Sequence, residues 1–332
     1  MATIALIGAG RMGRAHARAL TRSREARLVA VCDPAPGAAE AATPTGAATY
    51  LEVDAVLADR SIDGVLIAVP TPLHDQLVER ALIAGKHVLC EKPLTLEVRR
   101  DIELGRLAES LGLVLQVGFW RRFAWPYREA ERLLAEGAIG TPRLMRLSQW
   151  DSEPPPPAFC DPAVSGGLEI DCGVHELDLA AWLLGSPVAH VSAAGAPGAP
   201  AIEAVGDVEA LVALAVTAGG APVTIDLARS VRYGDDVRTE IVGAHGALLI
   251  SAVGAGSLAV GGPSGLTSQA VPSDHVLDDA LATQADCFAR AIGGHRDPAL
   301  PGAAASAHAL AAAQAMRRAR LSGAVETVAL AG

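Results

Sequence analysis

Three ionisable side chains share one face of a predicted helix in the second half of the chain. Asp171, His175 and Asp178 are spaced i, i+4 and i+7, which places them on one side of a helix. The segment from Ser165 to Gly185 is otherwise strongly apolar, so we expect this helix to be buried on most sides. Buried carboxylates and imidazoles are costly unless they are paired or used. The polar face is therefore either a structural ion pair in a core or part of a proton-transfer site.

A glycine pattern near the N-terminus is typical of dinucleotide binding. The predicted strand Thr3–Ile7 runs directly into the sequence GAGRMG at residues 8–13, and a predicted helix follows. In this pattern Gly8 permits a tight turn, Gly10 lets a pyrophosphate approach the backbone, and Gly13 lets the helix pack closely on the strand. The alternative is a glycine turn that binds nothing.

The acid after the second predicted strand indicates which dinucleotide is bound. The strand Leu28–Cys32 ends in Asp33, which lies 20 residues after Gly13, the offset of an acid that binds the ribose 2′-hydroxyl. A carboxylate there repels a 2′-phosphate, and neither Pro34 nor Ala35 supplies a cation. The sequence therefore predicts NAD rather than NADP, with a surface aspartate of no function as the alternative.

Lys92 is the candidate electrophile. It follows the predicted buried strand His87–Cys90 and Glu91, and it precedes Pro93, which disfavours helix at Lys92. A lysine at the edge of a sheet is partly desolvated, so it could polarise a substrate oxygen or join a proton relay. The alternative is a lysine that binds cofactor phosphate or pairs with Glu91.

The elements that must position these residues alternate between strand and helix in the first third of the chain. Such alternation predicts an α/β fold, a doubly wound parallel sheet, whose ligands bind beyond the carboxyl ends of the strands. The further predicted strands are Gly64–Val69, His87–Cys90 and Leu113–Val117, and the helices are about Met12–Thr21, after Pro72 to Ala84, and Leu96–Leu111. The loops expected to line one crevice are residues 8–13, Asp33, 70–74, 91–93 and 118–122.

After Trp120 the pattern changes, so we predict a first domain at 1–120 and a second at 121–332. The second reads as an α+β domain, a largely antiparallel sheet covered by helices on one face. Its other face needs cover, and self-association as a homodimer or homotetramer would supply it. The C-terminal helix, about 303–321, is a candidate to pack back on the first domain. The other elements predicted here are helices at 127–136 and 277–292 and strands at 143–149, 188–194, 205–217, 222–227, 231–242, 247–251 and 257–260.

The four prolines at Pro154–Pro157 cannot join a sheet interior. They form either a stiff surface connection or a loop that borders the substrate site.

Composition excludes several classes of protein. The formal net charge of −10 argues against generic nucleic-acid binding. No apolar run is long and uniform enough to span a bilayer, and the N-terminus lacks the basic region of a signal peptide. Five cysteines without paired spacing predict free thiols in a reducing compartment, the cytoplasm by default, and no structural zinc.

Taken together, these residues resemble the Gfo/Idh/MocA family, named for glucose–fructose oxidoreductase, inositol dehydrogenase and a rhizopine-catabolism protein. The resemblance runs over nearly the whole chain and looks nearest to dehydrogenases of inositol and related cyclitols or sugars. The EKP element combined with the D-x-x-x-H helix is far more specific for this family than the glycine turn is. The motifs that carry it are GAGRMGRAHA at 8–17, TPLH at 71–74, EKPL at 91–94, GFWRRF at 118–123 and GGLEIDCGVHELD at 166–178.

The resemblance implies a role for each residue that matches. His175 would be the general base that takes the hydroxyl proton, Lys92 would orient and polarise that oxygen, and Asp171 would bind substrate and tune the pair. It also makes the Lys92–Pro93 bond a candidate cis peptide. The implied cofactor-binding residues are Gly8, Gly10, Arg11, Met12, Gly13, Asp33, Val69, Thr71, Pro72, His74, Glu91 and Lys92. The implied substrate-binding residues are Lys92, Trp120, Arg122, Asp171, His175 and Asp178.

The sequence therefore predicts an NAD-dependent dehydrogenase acting on a secondary hydroxyl of a cyclitol or sugar. Two alternatives remain open, namely an NAD-dependent glycoside hydrolase of the same fold and a non-catalytic NAD(H) sensor. A metal site on Asp171 and His175 is disfavoured, because two ligands on one helix are too few and no third His or Cys cluster is evident.

Overall fold

A computed structural model describes residues 1–43, 46–153, 155–270, 272, 275–295 and 297–330. The chain divides into two compact units, the first formed by Met1–Phe123 with Asp278–Ala307 and the second by Ala124–Leu277 with the chain from His308 onward. Residues 278–307, which lie in the second domain of the sequence prediction, thus group with the first unit. Pro154, the first residue of the proline run, lies outside the described residues.

A six-stranded sheet of parallel strands forms the centre of the first unit, in the order β3-β2-β1-β4-β5-β6. This is the strand order of dinucleotide-binding folds, and it confirms the predicted doubly wound parallel sheet. The strands are β1 Ala2–Ile7, β2 Ala26–Cys32, β3 Ala48–Tyr50, β4 Gly64–Ile67, β5 His87–Cys90 and β6 Leu115–Val117. The helices of this segment are α1 Arg11–Arg22, α2 Ala38–Ala42, α3 Val53–Ala58, α4 His74–Ile83 and α5 Val98–Ser110.

The central strands of this sheet are buried on both faces, which explains their unbroken apolar sequences. All four residues of β4 are buried, and Leu6, Leu66 and Leu89 belong to one apolar cluster with Phe288. Because the strands are parallel, the carboxyl ends of β1, β2, β4 and β5 lie at the same edge of the sheet. The glycine turn, Asp33, the TPLH turn and Lys92 all follow those ends.

The second unit contains a nine-stranded sheet in the order β14-β13-β12-β11-β7-β10-β9-β8-β15. Its neighbouring strands are antiparallel except for β7 and β10, which are parallel. The predicted largely antiparallel sheet is therefore confirmed. The strands are β7 Pro142–Trp150, β8 Val188–Ala196, β9 Ala210–Thr217, β10 Pro222–Ala228, β11 Asp236–Gly243, β12 Ala247–Ser251, β13 Ser257–Gly262, β14 Gly265–Ser268 and β15 Glu326–Thr327. The remaining helices are α6 Trp125–Ala135, α7 Pro157–Cys160, α8 Pro162–Ser165, α9 Leu168–Asp171, α10 Gly173–Leu183, α11 Pro200–Glu203, α12 Val276–Ile292 and α13 Ala303–Ser322.

Helices cover one face of this sheet. Helix α10 packs on β7, β8 and β10, and α6 packs on β12 and β13. On β9 the residues that face the helices, such as Leu211 and Ala215, are buried, whereas Val212 and Leu214 on the opposite face are 58% and 50% exposed. The alternation along β9 thus separates a core face from an open face, as half-buried strands do.

The structure corrects the prediction of one continuous helix around the polar face. Helix α9 ends at Asp171 and α10 begins at Gly173, with Cys172 between them. The backbone amide of His175 donates to the carbonyl of Cys172, three residues back, at 3.1 Å.

Two predicted strands start later than expected. The strand predicted from Val205 begins at Ala210, and the strand predicted from Val231 begins at Asp236. The turn that follows α11 occupies the start of the first region, and Ser230, with a φ of 66°, turns the chain before the second. Apolar residues in such turns imitate a strand pattern although their backbone is not extended.

Candidate functional site

The glycine turn after β1 has the shape that a dinucleotide phosphate requires. Gly8 has a φ of +98°, and a Cβ there would lie 2.4 Å from the carbonyl oxygen of Ala68. A Cβ on Gly13 would lie 2.0 Å from the carbonyl oxygen of Gly8, so only glycine lets α1 start so close to β1. At Gly10, by contrast, no heavy atom lies within 4 Å of the Cβ position. The space beside Gly10, at the N-terminus of α1, fits a phosphate group.

Asp33 lies beside this turn. Its Oδ2 accepts a hydrogen bond from the amide of Ala9 at 2.7 Å, and its Oδ1 accepts one from the amide of Ala35 at 2.9 Å. These bonds fix a half-buried carboxylate next to the glycine turn. A carboxylate oxygen has two acceptor positions, so Asp33 can still accept a ribose hydroxyl. The residues of this region therefore fit NAD.

Arg11 and Met12 occupy the first turn of α1. Arg11 is exposed, whereas Met12 packs, together with Trp120, on a small apolar cluster that includes Ala15 and Leu281. The Arg121 guanidinium lies 5.7 Å from the centre of the Trp120 ring. Met12 and Trp120, predicted for cofactor and substrate respectively, are thus both partly buried against this cluster of the first unit.

His74 joins two of the loops at the sheet edge. It is buried, and its Nδ1 and Nε2 lie 2.8 Å from the Pro93 carbonyl oxygen and 2.9 Å from the Val69 carbonyl oxygen. Burial lowers the pKa of His74, although both carbonyls oppose this shift. A neutral imidazole carries one N–H, so it donates to one of the two carbonyls at a time. The His74 ring thus contacts backbone atoms. In the 3₁₀ turn before it, Thr71 is half-buried and Pro72 is exposed.

Lys92 lies in a loop that Glu91 holds in place. The Lys92–Pro93 peptide bond is cis, as the resemblance implied. Glu91 Oε2 accepts the backbone amide of Lys92 at 3.2 Å, and Glu91 Oε1 lies 2.6 Å from His16 Nε2. Gly118 permits this arrangement, because a Cβ there would lie 3.0 Å from the Glu91 Cα.

Glu91 is ionised in this position. Burial raises the pKa of its carboxyl group, but the hydrogen bond and charge of His16 and the charge of Lys92 lower the pKa below its usual value. An ionised carboxylate only accepts hydrogen bonds, so His16 Nε2 is the donor. His16 lies within the GAGRMGRAHA motif, but nothing in the sequence indicates its distant partner, so its role was not predicted.

Arg122 belongs to the 3₁₀ turn Trp120–Phe123, which follows β6. Arg122 is 8% exposed, and its guanidinium donates to the carbonyl of Ala299 at 3.4 Å. Arg122 therefore exposes only a small part of its surface to a ligand.

In the second unit, His175 and Asp178 lie one turn apart on α10, with 5% and 3% exposure. Asp171, at the end of α9, is the most accessible of the three, with 20% of its side chain exposed. Glu176 on α10 is fully buried as well. The structure thus brings the three predicted residues onto neighbouring turns in spite of the break at Cys172.

A buried arginine that the sequence analysis missed lies behind Asp171. Arg229 follows β10. Its Nη1 lies 3.2 Å from Asp207 Oδ2, and its Nη2 lies 3.8 Å from Asp171 Oδ2. Burial disfavours its charge, but Cys172, Asp207, Asp171 and Cys160 together raise the pKa of Arg229 above its usual value, so it remains a cation. A single arginine after an apolar strand carries no sequence signal of such a cluster.

The described residues also bear on metal binding and on membrane insertion. Within this part of the chain, no set of three or more His, Cys, Asp and Glu side chains is arranged to hold a metal ion. None of the helices in the same part has the length and apolar character needed to cross a membrane. All five cysteines are described and buried, and none of them forms a disulfide.

Two family models match this chain. The model described as "Oxidoreductase family, NAD-binding Rossmann fold" matches residues 2–119, and the model of the GFO/IDH/MocA C-terminal domain matches residues 127–249. The first match covers the glycine turn, Asp33 and Lys92, and the second covers Asp171, His175 and Arg229.

Curated and solved relatives agree with the models. The chain is 36% identical over 250 residues to the scyllo-inositol 2-dehydrogenase (NAD(+)) of Bacillus subtilis, which covers 74% of this chain and 72% of that protein. It is 32% identical over 330 residues to the myo-inositol dehydrogenase Hyg17 of Streptomyces leeuwenhoekii, covering 97% and 98% of the two chains. The crystal structure of scyllo-inositol dehydrogenase from Lactobacillus casei with bound NAD(H) and scyllo-inositol superposes with a TM-score of 0.83 at 28% identity, over 99% of each chain.

Proposed function

The chain belongs to the GFO/IDH/MocA family of NAD-binding oxidoreductases, and we propose that it oxidises a secondary hydroxyl of an inositol-like cyclitol, or of a sugar, with NAD. The observation that carries this proposal is the match over 99% of both chains to a scyllo-inositol dehydrogenase that holds NAD(H) and scyllo-inositol. Lys92, Asp171 and His175 supply the side chains that the reaction needs, which supports it further.

We assign cofactor binding to the first unit. The pyrophosphate is to bind in the open space beside Gly10, at the N-terminus of α1, and Asp33 is to accept the 2′-hydroxyl of the adenosine ribose. Bound NAD supplies the acceptor for the hydride that leaves the carbinol carbon. His74 and Glu91 hold the loops on either side of Lys92, so we assign them to the placement of that loop.

Proton transfer is assigned to His175. An imidazole can take a hydroxyl proton near neutral pH, and His175 lies on the first turn of α10 with little exposure to competing water. Lys92, a cation, is to orient and polarise the same oxygen, which stabilises the charge that develops as the proton leaves. Asp171 is to accept a substrate hydroxyl, and Asp178 is to support His175 or bind substrate.

The experiment that tests this proposal is a substrate screen with the purified protein. NADH fluorescence is followed with inositols, hexoses, amino sugars and sugar acids as substrates. We expect turnover with at least one cyclitol. The absence of NADH formation with every polyol would contradict the proposal, and release of a glycoside leaving group without net NADH would favour the hydrolase instead.

We also propose that the chain self-associates through the open face of the nine-stranded sheet. Val212 and Leu214 are exposed there and line a shallow depression with residues of β8 and β10. Contiguous exposed apolar surface is unfavourable in water and typical of interfaces. Light scattering should therefore give a dimer or tetramer for the wild type and a smaller species for Leu214→Arg. Leu321→Arg, at an exposed leucine on α13, is the matched control, and a wild-type monomer would contradict this proposal.

A further inference from the structure

Arg229 is a buried cation whose surroundings are themselves fixed. Its side chain is 1% exposed, and the carboxylate of Asp207, 3.2 Å away, is also 1% exposed. The other oxygen of Asp207 accepts the backbone amide of Leu168 at 3.0 Å, at the start of α9. The backbone amide of Arg229 donates to the carbonyl of Glu209 at 2.8 Å. Burial and the ion pair with an anchored Asp207 therefore restrict the guanidinium.

The backbone next to Arg229 is in an uncommon conformation. Ser230 has a φ of +66°, the only positive φ of a non-glycine residue among the described positions. Side chains other than glycine rarely adopt this region, and such strain tends to persist where the surrounding structure enforces it. The turn at Ser230 directs the chain away from β10 directly after Arg229, which leaves the guanidinium inside the unit.

The members of this cluster differ in their access to solvent. Asp171 Oδ2 lies 3.8 Å from Arg229 Nη2. The Asp171 side chain is 20% exposed, whereas the side chains of Arg229 and Asp207 are almost fully buried. Two thiols also lie near Arg229. Cys160 contacts its guanidinium, and Cys172, whose Sγ lies 3.5 Å from Asp151 Oδ2, interacts with its charge. Asp171 is thus the one carboxylate of the pair around Arg229 that a polyol can reach.

A fixed cation behind a partly exposed carboxylate restricts the directions in which that carboxylate can point. Charges that are partly removed from water attract each other more strongly than charges at the surface, and salt screens them less. Asp207 balances the charge of Arg229, so the guanidinium need not draw Asp171 into a full hydrogen-bonded ion pair. A carboxylate has about four acceptor positions, so Asp171 can contact Arg229 and also accept a hydroxyl group.

We propose that Arg229 is a positioning residue, which holds the Asp171 carboxylate in the orientation that accepts a hydroxyl of the polyol substrate. This inference rests on the proposed dehydrogenase function. Asp207 contributes to the same positioning of Asp171, since it anchors Arg229 to the start of the helix that ends in Asp171.

The test is a double-mutant cycle of Arg229→Gln and Asp171→Asn, read by steady-state kinetics. We expect Arg229→Gln to lower kcat/KM for the polyol by about 10²-fold, as small displacements of a substrate-orienting group do, while the KM for NAD is unchanged. In the Asp171→Asn background the same substitution should change kcat/KM by no more than about 2-fold, because the two residues act as one unit. Equal losses in both backgrounds would overturn the proposal.

A matched control separates positioning from loss of stability. Arg320, whose side chain is 11% exposed, forms an ion pair with the fully buried Glu169 in the same unit. Arg320→Gln should destabilise the protein in urea without the polyol-specific loss of kcat/KM. Arg229→Lys keeps the charge, so it should recover part of the activity and serves as the second variant if Arg229→Gln fails to fold. A loss of polyol kcat/KM in Arg320→Gln that equals the loss in Arg229→Gln would overturn the positioning role.

One further measurement keeps this inference apart from the proposed function. Urea unfolding of the four proteins of the cycle needs no substrate, and we expect the two substitutions to be non-additive, since residues in one charge network couple. If no polyol is oxidised but this coupling is present, the proposed function fails and the contact between Arg229 and Asp171 stands. Additive unfolding free energies would overturn the contact itself, whatever the wild-type enzyme oxidises.

Discussion

The imidazole Nε2 of His16 lies 2.6 Å from the carboxylate Oε1 of Glu91, although the two residues are 75 positions apart in the sequence. His16 is on α1, the helix that begins at the glycine turn, and Glu91 directly precedes Lys92. Both side chains are buried. The pair therefore links the helix that follows the dinucleotide turn to the loop that carries Lys92.

The His16–Glu91 pair predicts a specific dependence of stability on pH. The pKa of Glu91 in the folded protein is below its usual value. The unfolded chain therefore binds a proton at Glu91 at higher pH than the folded protein does. The stability from this carboxylate is fully present above the ordinary pKa of glutamate, about 4.3, and is lost as the pH falls through the folded-state pKa.

We expect Glu91→Gln to lower the free energy of unfolding by about 1–3 kcal/mol near neutral pH. The difference from the wild type should shrink as the pH is lowered into the acid range. Urea unfolding across a pH series measures it. Glu109→Gln, at an exposed position at the end of α5, is the control and should unfold like the wild type. If the difference in unfolding free energy between Glu91→Gln and the wild type grew toward acid pH, the pKa of Glu91 would not be lowered in the folded protein.

Asp33 is expected to decide the choice between NAD and NADP. Its carboxylate is held beside the glycine turn, and a 2′-phosphate there would meet a fixed negative charge. Asp33→Ala should weaken NAD binding by about 10-fold or more, the loss of a hydrogen bond to a charged group, and should weaken NADP binding less. Dissociation constants for both dinucleotides measure this change. Asp54→Ala, at an exposed aspartate, should alter neither, and an unchanged preference in Asp33→Ala would refute the 2′-hydroxyl role.

The glycines of the turn should separate binding from folding. No heavy atom lies within 4 Å of a Cβ at Gly10, and its φ of −69° suits any residue. Gly10→Val should therefore keep the fold but block the space for the pyrophosphate. Gly13→Ala should instead destabilise the protein by about 1–3 kcal/mol, because its Cβ would meet the Gly8 carbonyl.

Thermal unfolding and NAD titration of the two glycine variants distinguish these outcomes. The account fails if Gly10→Val binds NAD as tightly as the wild type. It also fails if Gly13→Ala is as stable as the wild type.

His175 is expected to matter for turnover and not for cofactor binding. Loss of a general base costs about 10²–10⁴-fold in rate, so His175→Ala should lower kcat by that factor while NAD still binds. Steady-state kinetics and NAD titration measure the two effects. His190→Ala, at an exposed histidine on β8, is the control. Turnover of His175→Ala close to the wild-type rate would eliminate His175 as the base.

The elements that the sequence predicted well are those that local patterns determine. The glycine turn requires glycine at Gly8 and Gly13 for steric reasons that act within a few residues, and the apolar runs of β1, β4 and β5 reflect burial on both faces. The parallel sheet and its crevice edge follow from the alternation of such strands with helices.

The parts that the sequence did not predict depend on contacts between distant residues. Arg229 meets Asp207 and Asp171 only after the second unit has folded, and His16 meets Glu91 only across the parallel sheet. The break at Cys172 was missed because the sequence through it has the same helical pattern as its neighbours. Short elements such as β3 and α2 were missed because a few residues carry no periodic signal.

The central claim is that this chain transfers hydride from a carbinol carbon of a polyol to NAD. Incubation of the purified protein with NAD and a carbon-deuterated inositol, followed by mass spectrometry of the reduced cofactor, tests it most directly. The account predicts NADH that carries one deuterium from the substrate, together with the matching inosose ketone. Failure to form reduced cofactor, or NADH without deuterium, would contradict it.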